Sequence, residues 1–214
     1  MSSPSSPPTR HVVLDDTDPS ISYNGPGWAL TTGDAEQDFG NFGPVYSNSL
    51  HQVSDTPGAS FHFQFSGESC ANMVVSCHCG SHYLQGTRVQ ILGSLDNGGG
   101  KSIPSWSCSI DGNLFGGTTS NGITENSITL CDSKNIPDGM HQVDVSIITS
   151  GPIFYFDYVW YDPSPSVSLT NSVVKVDNND PELNFIGNGW NIRYANLWPL
   201  TGSEGDQMIF LFNG

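Results

Sequence analysis

The chain has 214 residues, with 21 Asp plus Glu against 6 Lys plus Arg, and a formal net charge of -15. A protein this acidic repels phosphate backbones and anionic lipids, which argues against nucleic acid and membrane surfaces as partners. No apolar run approaches the ~18 residues that span a bilayer, so we expect no membrane insertion by this chain. The acidic excess suits soluble extracellular proteins and sites for calcium, which prefers carboxylate oxygens.

In chain order, the Ser/Pro-rich residues 1–10 are predicted to be disordered. Short segments then alternate apolar and polar residues and are separated by Gly, Pro, Asn and Asp, a pattern typical of strands joined by turns. The predicted strands lie in ASFHFQFSG, TRVQILGSL, SWSCSIDG, ENSITLC, MHQVDVSII and PIFYFDYVWYD. These strands predict an all-β fold, an antiparallel β-sandwich of the jelly-roll kind.

The opening of this module is repeated near the end of the chain. VVLDDTDPSISYNGPGW begins at residue 12, and VVKVDNNDPELNFIGNGW begins at residue 173. The two runs match without a gap when Asp18-Pro19 is placed on Asp180-Pro181. We therefore predict a β-sandwich module at residues 11–162, a linker at 163–172, and the incomplete start of a second module at 173–214.

Residues 68–85, ESCANMVVSCHCGSHYLQ, interrupt what would otherwise be a strand, a tight turn and a strand. We interpret this segment as an anomalous insertion, with a retained intron as the working hypothesis. Its Cys and His residues (Cys70, Cys77, His78, Cys79 and His82) are too closely spaced for an ordinary zinc finger, so we expect no zinc site.

The segments VVLDDTDPSISYNGPGW, GPVYSNSLH, RVQILGSL, CSIDG and FYFDYVWYD together resemble modules common in mushroom-forming fungi. These modules occur in secreted or surface proteins and are similar to galactose-binding-like jelly rolls. The resemblance extends to the tandem-domain, calcium-dependent lectin of oyster mushrooms. It implies a jelly-roll fold, a sugar ligand of the galactose type, and a calcium ion between the first and last strands.

Candidate calcium ligands follow from this resemblance and from the acidic cluster at the first strand. Asp15, Asp16 and Asp18 place three carboxylates within four residues, and Asp157 lies between aromatic residues in the last strand. A buried carboxylate is costly unless a metal or hydrogen bonds compensate it, so these four residues are the predicted calcium site. The alternative is that DDTDP forms a turn in which Asp18 caps its own backbone.

Sugars are commonly held by an aromatic ring together with amide and carboxylate groups. The candidate residues of these types are Trp28, Tyr46, Asn48, His51, Asp96, Asn97, Trp106 and Trp160. A core role competes for Trp28, because Trp190 recurs at the matching place in the second copy.

Cys108 and Cys131 flank a hairpin-like segment and are a predicted disulfide, which would indicate a secretory route and an extracellular or cell-surface location. The sequence holds no Asn-x-Ser/Thr acceptor, no Gly-x-Ser-x-Gly nucleophile motif and no carboxylate pair that singles out a general acid. We therefore expect a protein that is not an enzyme: a lectin-like module that binds glycans with calcium. The alternative is an adhesion or cell-wall scaffold without a sugar pocket.

Overall fold

The computed structural model describes residues 10–54, 58–66, 87–97, 100, 102–117, 123–137, 139–148, 152–163, 169–193 and 198–210. The predicted insertion at 68–85 and its cysteines lie outside these residues. The chain divides into two compact units, one of residues 12–173 and one of residues 1–11 with 174–214. Within the described residues no helix is long and apolar enough to cross a membrane.

The first unit is built almost entirely from short antiparallel strands. Its strands are β1 (Arg10–Asp15), β2 (Ser22–Asn24), β3 (Ala29–Thr31), β4 (Leu50–Val53), β5 (Ser60–Ser66), β6 (Thr87–Leu95), β7 (Trp106–Ile110), β8 (Asn113–Gly117), β9 (Glu125–Ile136), β10 (Met140–Ile147) and β11 (Phe154–Tyr161). One 3₁₀ turn, Tyr46–Asn48, precedes β4.

These strands form two sheets. In the first sheet β11 is central: β1 and β4 pair with one of its edges, β3 continues beyond β4, and β6 followed by β9 lies on the other edge. The second sheet has the order β2-β5-β10-β7-β8. The fold is thus the all-β, antiparallel jelly-roll sandwich that the sequence pattern predicts.

The core lies between the two sheets and is rich in aromatic rings. Phe61, Phe63 and Phe65 of β5 are buried, as the alternation in ASFHFQFSG predicts. Phe61 stacks on Phe156 of β11 with ring centroids 4.2 Å apart. Because burying an aromatic side chain contributes roughly 1.5–3 kcal/mol, these rings supply much of the force that holds the sheets face to face.

A disulfide joins the two sheets across this core. Cys108 of β7 and Cys131 of β9 are bonded, with their Cα atoms 6.5 Å apart. Both residues are buried. The bond therefore ties one sheet covalently to the other from inside the sandwich.

The second unit contains five strands that repeat local features of the first. They are β12 (Val173–Val176), β13 (Leu183–Ile186), β14 (Asn191–Arg193), β15 (Trp198–Leu200) and β16 (Gln207–Phe210). The pair Phe185–Met208 in β13 and β16 occupies the register that Tyr23–Phe61 occupies in β2 and β5. β14 pairs with β15 as β3 pairs with β4.

The turn chemistry is also the same in the two copies. The backbone N–H of Asp18 donates to Asp15, and that of Asp180 donates to Asp177. The Trp28 indole donates to the carbonyl four residues earlier at 3.1 Å, and the Trp190 indole does the same at 3.1 Å. The matching sequences therefore adopt matching local conformations.

We expect replacement of Cys108 and Cys131 by Ala to destabilise the first unit by about 3 kcal/mol, since the bond closes a loop with a sequence separation of 23. Urea unfolding followed by tryptophan fluorescence measures this change. Reductant should weaken the wild type and leave the double variant unchanged. A variant within 0.5 kcal/mol of the wild type would contradict a structural role for the bond.

Candidate functional site

The candidate site is organised around an irregularity in β11. The pairing of β11 with β6 shifts between Phe156 and Tyr158, so Asp157 is the extra residue of a β-bulge. On the opposite edge of β11, pairing with β4 ends at Phe156 and pairing with β1 begins at Tyr158. Asp157 therefore lies where the ends of β1 and β4 meet, and its side chain is fully buried.

Three side chains converge on Asp16, which follows β1 directly and is fully buried. Ser49 Oγ donates to one carboxylate oxygen at 2.5 Å, and His51 Nδ1 lies 2.7 Å from the other. The Tyr23 hydroxyl donates to the Asp16 carbonyl at 2.6 Å and its ring stacks on His51. Both oxygens of the Asp16 carboxylate are thus engaged.

The buried carboxylate of Asp157 has fewer hydrogen-bond donors than that of Asp16. The backbone N–H of Tyr46 donates to both of its carboxylate oxygens at 3.2 Å each. Burial, followed by the negative charges of Asp16 and Asp15, raises the pKa of Asp157 from 3.8 to about 8. The pKa of Asp15 is also raised, first by burial, and its Oδ1 is buried without a hydrogen-bond partner. The cluster is therefore short of positive charge or donors.

Because these buried carboxylates lack donors and positive charge, we compare them with what a calcium ion requires. The unfilled acceptors of Asp15 and Asp157 suit a cation that takes oxygen ligands. Both carboxylate oxygens of Asp16 are already hydrogen-bonded, one to Ser49 and the other to His51. Across the described ranges, no group of three or more His, Cys, Asp or Glu side chains has the arrangement of a metal site. A calcium ion here would therefore depend on Asp15, Asp157 and further oxygen donors.

Asp18 has a local structural role. Its Oδ1 accepts from the backbone N–H of Ser20 at 2.8 Å and from the Ser20 hydroxyl at 2.6 Å. This is an Asx turn, the alternative interpretation of the DDTDP run. In the second copy Asp180 likewise accepts from the N–H two residues later, at 2.9 Å.

The long connection between β3 and β4, residues 32–49 (here the β3–β4 loop), is held down by the start of β9. The Glu125 carboxylate accepts the backbone N–H groups of Asn41 and Phe42 at 2.7 and 2.8 Å. The buried Asn126 amide donates to the carbonyls of Glu36 and Gly43. Backbone groups in the middle of this loop are thereby satisfied without regular secondary structure.

An exposed cluster of neutral and acidic polar groups lies on this loop. The Asn48 amide donates to Asp34 at 3.4 Å and accepts from the Gln37 amide at 2.5 Å. Thr32 also donates to Asp34, at 2.8 Å. We call Thr32, Asp34, Gln37 and Asn48 the loop cluster. Ser47 and Asn48 both have positive φ, 48° and 57°, in the left-handed region that most non-glycine residues avoid and that Asn tolerates best.

The sequence-predicted sugar residues are distributed unevenly. Asn48 belongs to the loop cluster. Tyr46 precedes it and contacts Asp157 through its backbone N–H, and His51 comes after it and contacts Asp16. Trp28 is partly buried and packs its edge toward Phe61 and Phe154. The predicted residues Asp96 and Asn97 follow β6, and the Asn97 backbone N–H donates to Thr124.

Two predicted aromatic platforms need correction. Trp106 is 2% exposed, belongs to the core between the sheets, and donates its indole N–H to the Leu130 carbonyl. Trp160 is also buried, with the Arg88 guanidinium 4.7 Å from its ring centroid. A ring that is enclosed in this way offers no face to a sugar. Both residues stabilise the sandwich instead.

Sequence reasoning missed several residues that shape the site, namely Tyr23, Asp34, Gln37, Ser49, Glu125 and Asn126. The length and polarity of the β3–β4 loop were one available signal, because long ordered loops are often functional. The burial of Glu125 and Asn126 had no local signal. Charged and amide side chains at the start of a strand are ordinarily expected to face solvent, whereas both of these residues are buried.

No family model matches the chain, and no curated protein is significantly similar to it. Solved structures show a weak likeness. A native family 35 carbohydrate-binding module from Clostridium thermocellum covers 72% of this chain and 98% of its own, at 14% identity and a TM-score of 0.46. A CBM36-1 domain of a multidomain xylanase from the hindgut metagenome of Trinervitermes trinervoides is matched over 72% of this chain and 98% of its own. Its sequence identity is 11% and its TM-score is 0.44.

A family two carbohydrate esterase from Cellvibrio japonicus is matched over 73% of this chain and 36% of its own, at 11% identity and a TM-score of 0.39. Catalytic domains of a GH87 alpha-1,3-glucanase are also similar, with TM-scores of 0.40. The class of this protein is therefore defined by its own architecture, a jelly-roll β-sandwich with an anchored polar loop.

We expect the calcium-free protein to lose stability as the pH rises from about 4 to about 8, because of Asp157. Its pKa is 3.8 when unfolded and about 8 when folded, so unfolding releases a proton throughout this window. Each pKa unit corresponds to about 1.4 kcal/mol, and the loss should reach several kcal/mol. Asp157→Asn should flatten this slope in urea unfolding at pH 5 and pH 8 with EDTA. Asp34→Asn, at an exposed carboxylate, should keep it, and equal slopes in all three proteins would refute the assignment.

Asn126→Ala should release the β3–β4 loop, since it removes the side-chain donor of the Gly43 carbonyl and of the buried Glu36 carbonyl. Leaving the buried carbonyl unsatisfied costs about 1–3 kcal/mol. Limited proteolysis should then cut within residues 33–45 at least ten times faster than in the wild type. Gln142→Ala, on an exposed strand face, is the matched control. Unchanged cleavage in Asn126→Ala would show that the loop is held in another way.

Proposed function

We propose that this chain is a non-catalytic carbohydrate-binding module that holds a neutral, galactose-type sugar at the loop cluster. The observation that carries this proposal is that an exposed set of amide, hydroxyl and carboxylate groups lies on a loop whose backbone is fixed by buried carboxylates on both sides of Asn48. Holding a binding group in place before the ligand arrives reduces the entropy lost on binding.

The chemistry of the loop cluster suits sugar hydroxyls. A hydroxyl group both donates and accepts, and Asp34 supplies acceptors while the amides of Gln37 and Asn48 supply both. Phe42 is 50% exposed on the same loop and offers an apolar surface to the C–H face of a pyranose ring. Of the predicted ligand residues, Asn48 is a member of this cluster, and Tyr46 and His51 lie on either side of Asn48 in the sequence.

Calcium is part of this proposal as a structural ion near Asp15 and Asp157. Its charge would compensate the carboxylates that burial leaves short of donors. Asp157 binds the Tyr46 backbone and Asp16 binds Ser49. A cation at these carboxylates would thus stabilise the segment that carries Asn48.

We also propose a location outside the cell or on the cell surface, and the disulfide between Cys108 and Cys131 supports it because such bonds persist in oxidising environments. The second candidate function is an adhesion or cell-wall scaffold. In that case the anchored loop would only cap the outer side of the first sheet, and no sugar would bind.

We expect the wild type to bind galactose-terminated glycans on a glycan array in calcium and to lose most of this signal in EDTA. Asn48→Ala and Gln37→Ala should each weaken binding about tenfold, as measured by isothermal titration calorimetry with lactose, because each removes hydrogen bonds that fix the sugar. Asn184→Ala, an exposed amide in the second unit, should bind like the wild type. A blank array from folded wild type would favour the scaffold.

A further inference from the structure

Two turns of the sandwich meet at a buried histidine that the candidate site does not use. His141 is the second residue of β10 and is 8% exposed. The turn from β7 to β8 is formed by Asp111 and Gly112, whose φ angles of 50° and 78° are those of a tight Asp-Gly hairpin turn. The connection from β9 to β10 begins at Pro137. The His141 ring lies between these two connections and contacts both.

Both nitrogens of the His141 ring face oxygen acceptors. Nδ1 lies 2.7 Å from Oδ2 of Asp111, and Nε2 lies 2.6 Å from the backbone carbonyl oxygen of Pro137. A carbonyl oxygen and an ionised carboxylate accept hydrogen bonds and donate none. A neutral imidazole has one N–H, so its second nitrogen would turn a lone pair toward an oxygen. Only the doubly protonated imidazolium donates to both partners.

The Asp111 carboxylate is held in its ionised form. The backbone N–H of Gln142 donates to its Oδ1 at 3.0 Å. This bond, followed by the bond from His141, lowers the pKa of Asp111 below its usual 3.8. The carboxylate is therefore charged at neutral pH and has no proton to offer the ring. The proton in the Asp111–His141 contact belongs to the imidazole.

The remaining neighbours of the ring leave its charge to Asp111. Phe65 of β5 contributes an uncharged ring whose centroid lies 5.5 Å from that of His141. Tyr161 of β11 packs behind Phe65, with the two ring centroids 5.3 Å apart. Asp138, next to Pro137 in the sequence, lies outside the described residues. The ion pair with Asp111 is half open to solvent on the carboxylate side, where 47% of the Asp111 side chain is exposed.

We propose that His141 is held as a doubly protonated imidazolium and acts as a proton-dependent clamp between the β7–β8 turn and the end of β9. Loss of the second proton breaks one hydrogen bond and leaves a lone pair facing an oxygen. Histidine in an unfolded chain releases its proton near pH ~6.5, whereas the clamp retains it at that pH. By linkage, the stabilisation is fully present below about pH 6.5 and is lost as the pH rises further.

The direct test is ¹⁵N NMR of the full chain, labelled at histidine, at pH 7.5. Both ring nitrogens of His141 should carry protons, and its signals are assigned by their loss in His141→Gln. His62 is an internal comparison, because its Nδ1 lies 3.0 Å from the Asn24 amide nitrogen, a donor. His62 should therefore show a neutral ring. A neutral His141 ring at pH 7.5 overturns the proposal, and so does a doubly protonated ring that persists in Asp111→Asn.

Urea unfolding at pH 6.5 and pH 8.5 in EDTA measures what the clamp contributes. Between these two values the unfolding constant of the wild type should rise at least about fivefold more than that of His141→Gln. The effect of Asp157 is common to both proteins and cancels in the comparison. His62→Gln is the matched control and should keep the wild-type pH dependence. Equal pH dependence in the wild type and His141→Gln refutes the clamp, and if His141→Gln does not fold, Asp111→Asn replaces it in this comparison.

Discussion

The buried carboxylate of Asp157 is the constraint on which the site depends. A β-bulge turns this residue to the side of the first sheet that the β3–β4 loop covers, at the point where β1 and β4 meet. Burial of a carboxylate is unfavourable unless donors or a cation compensate it. The Tyr46 N–H supplies part of that compensation, and Asp16 recruits Ser49 and His51 nearby. The same electrostatic need therefore orders the segment that leads to Asn48.

The sandwich tolerates this polar cluster because its stability is generated elsewhere. Aromatic rings from β5 and β11 fill the space between the two sheets, and the Cys108–Cys131 bond joins the two sheets covalently. Asp157 contacts the β3–β4 loop through the Tyr46 N–H, whereas Asp16 contacts His51, whose ring stacks on Tyr23. Tyr23 in turn packs against Phe61 and Phe156, so the polar cluster is in contact with the aromatic core.

The loop cluster lies on an irregular segment whose backbone is held by buried side chains. Asp16 and Asp157 bind the segment around Tyr46 and Ser49, and Glu125 and Asn126 bind the middle of the β3–β4 loop. Backbone that is fixed in this way suits recognition of one small ligand in a fixed orientation.

The amino-acid sequence by itself determined the all-β class, most of the strand positions and the local turns of the repeated opening. These features depend on alternation and on turn residues, which act over a few positions along the chain. It also pointed to Asp15, Asp16 and Asp157 as a group. Only the tertiary structure decided that Trp106 is enclosed in the core. It also decided that Asp16 is hydrogen-bonded to Ser49 and His51, and that Glu125 and Asn126 bind the backbone of the β3–β4 loop. Those outcomes depend on which distant strands become neighbours, and hydrogen-bond partners separated by tens of residues leave no periodic signal in the sequence.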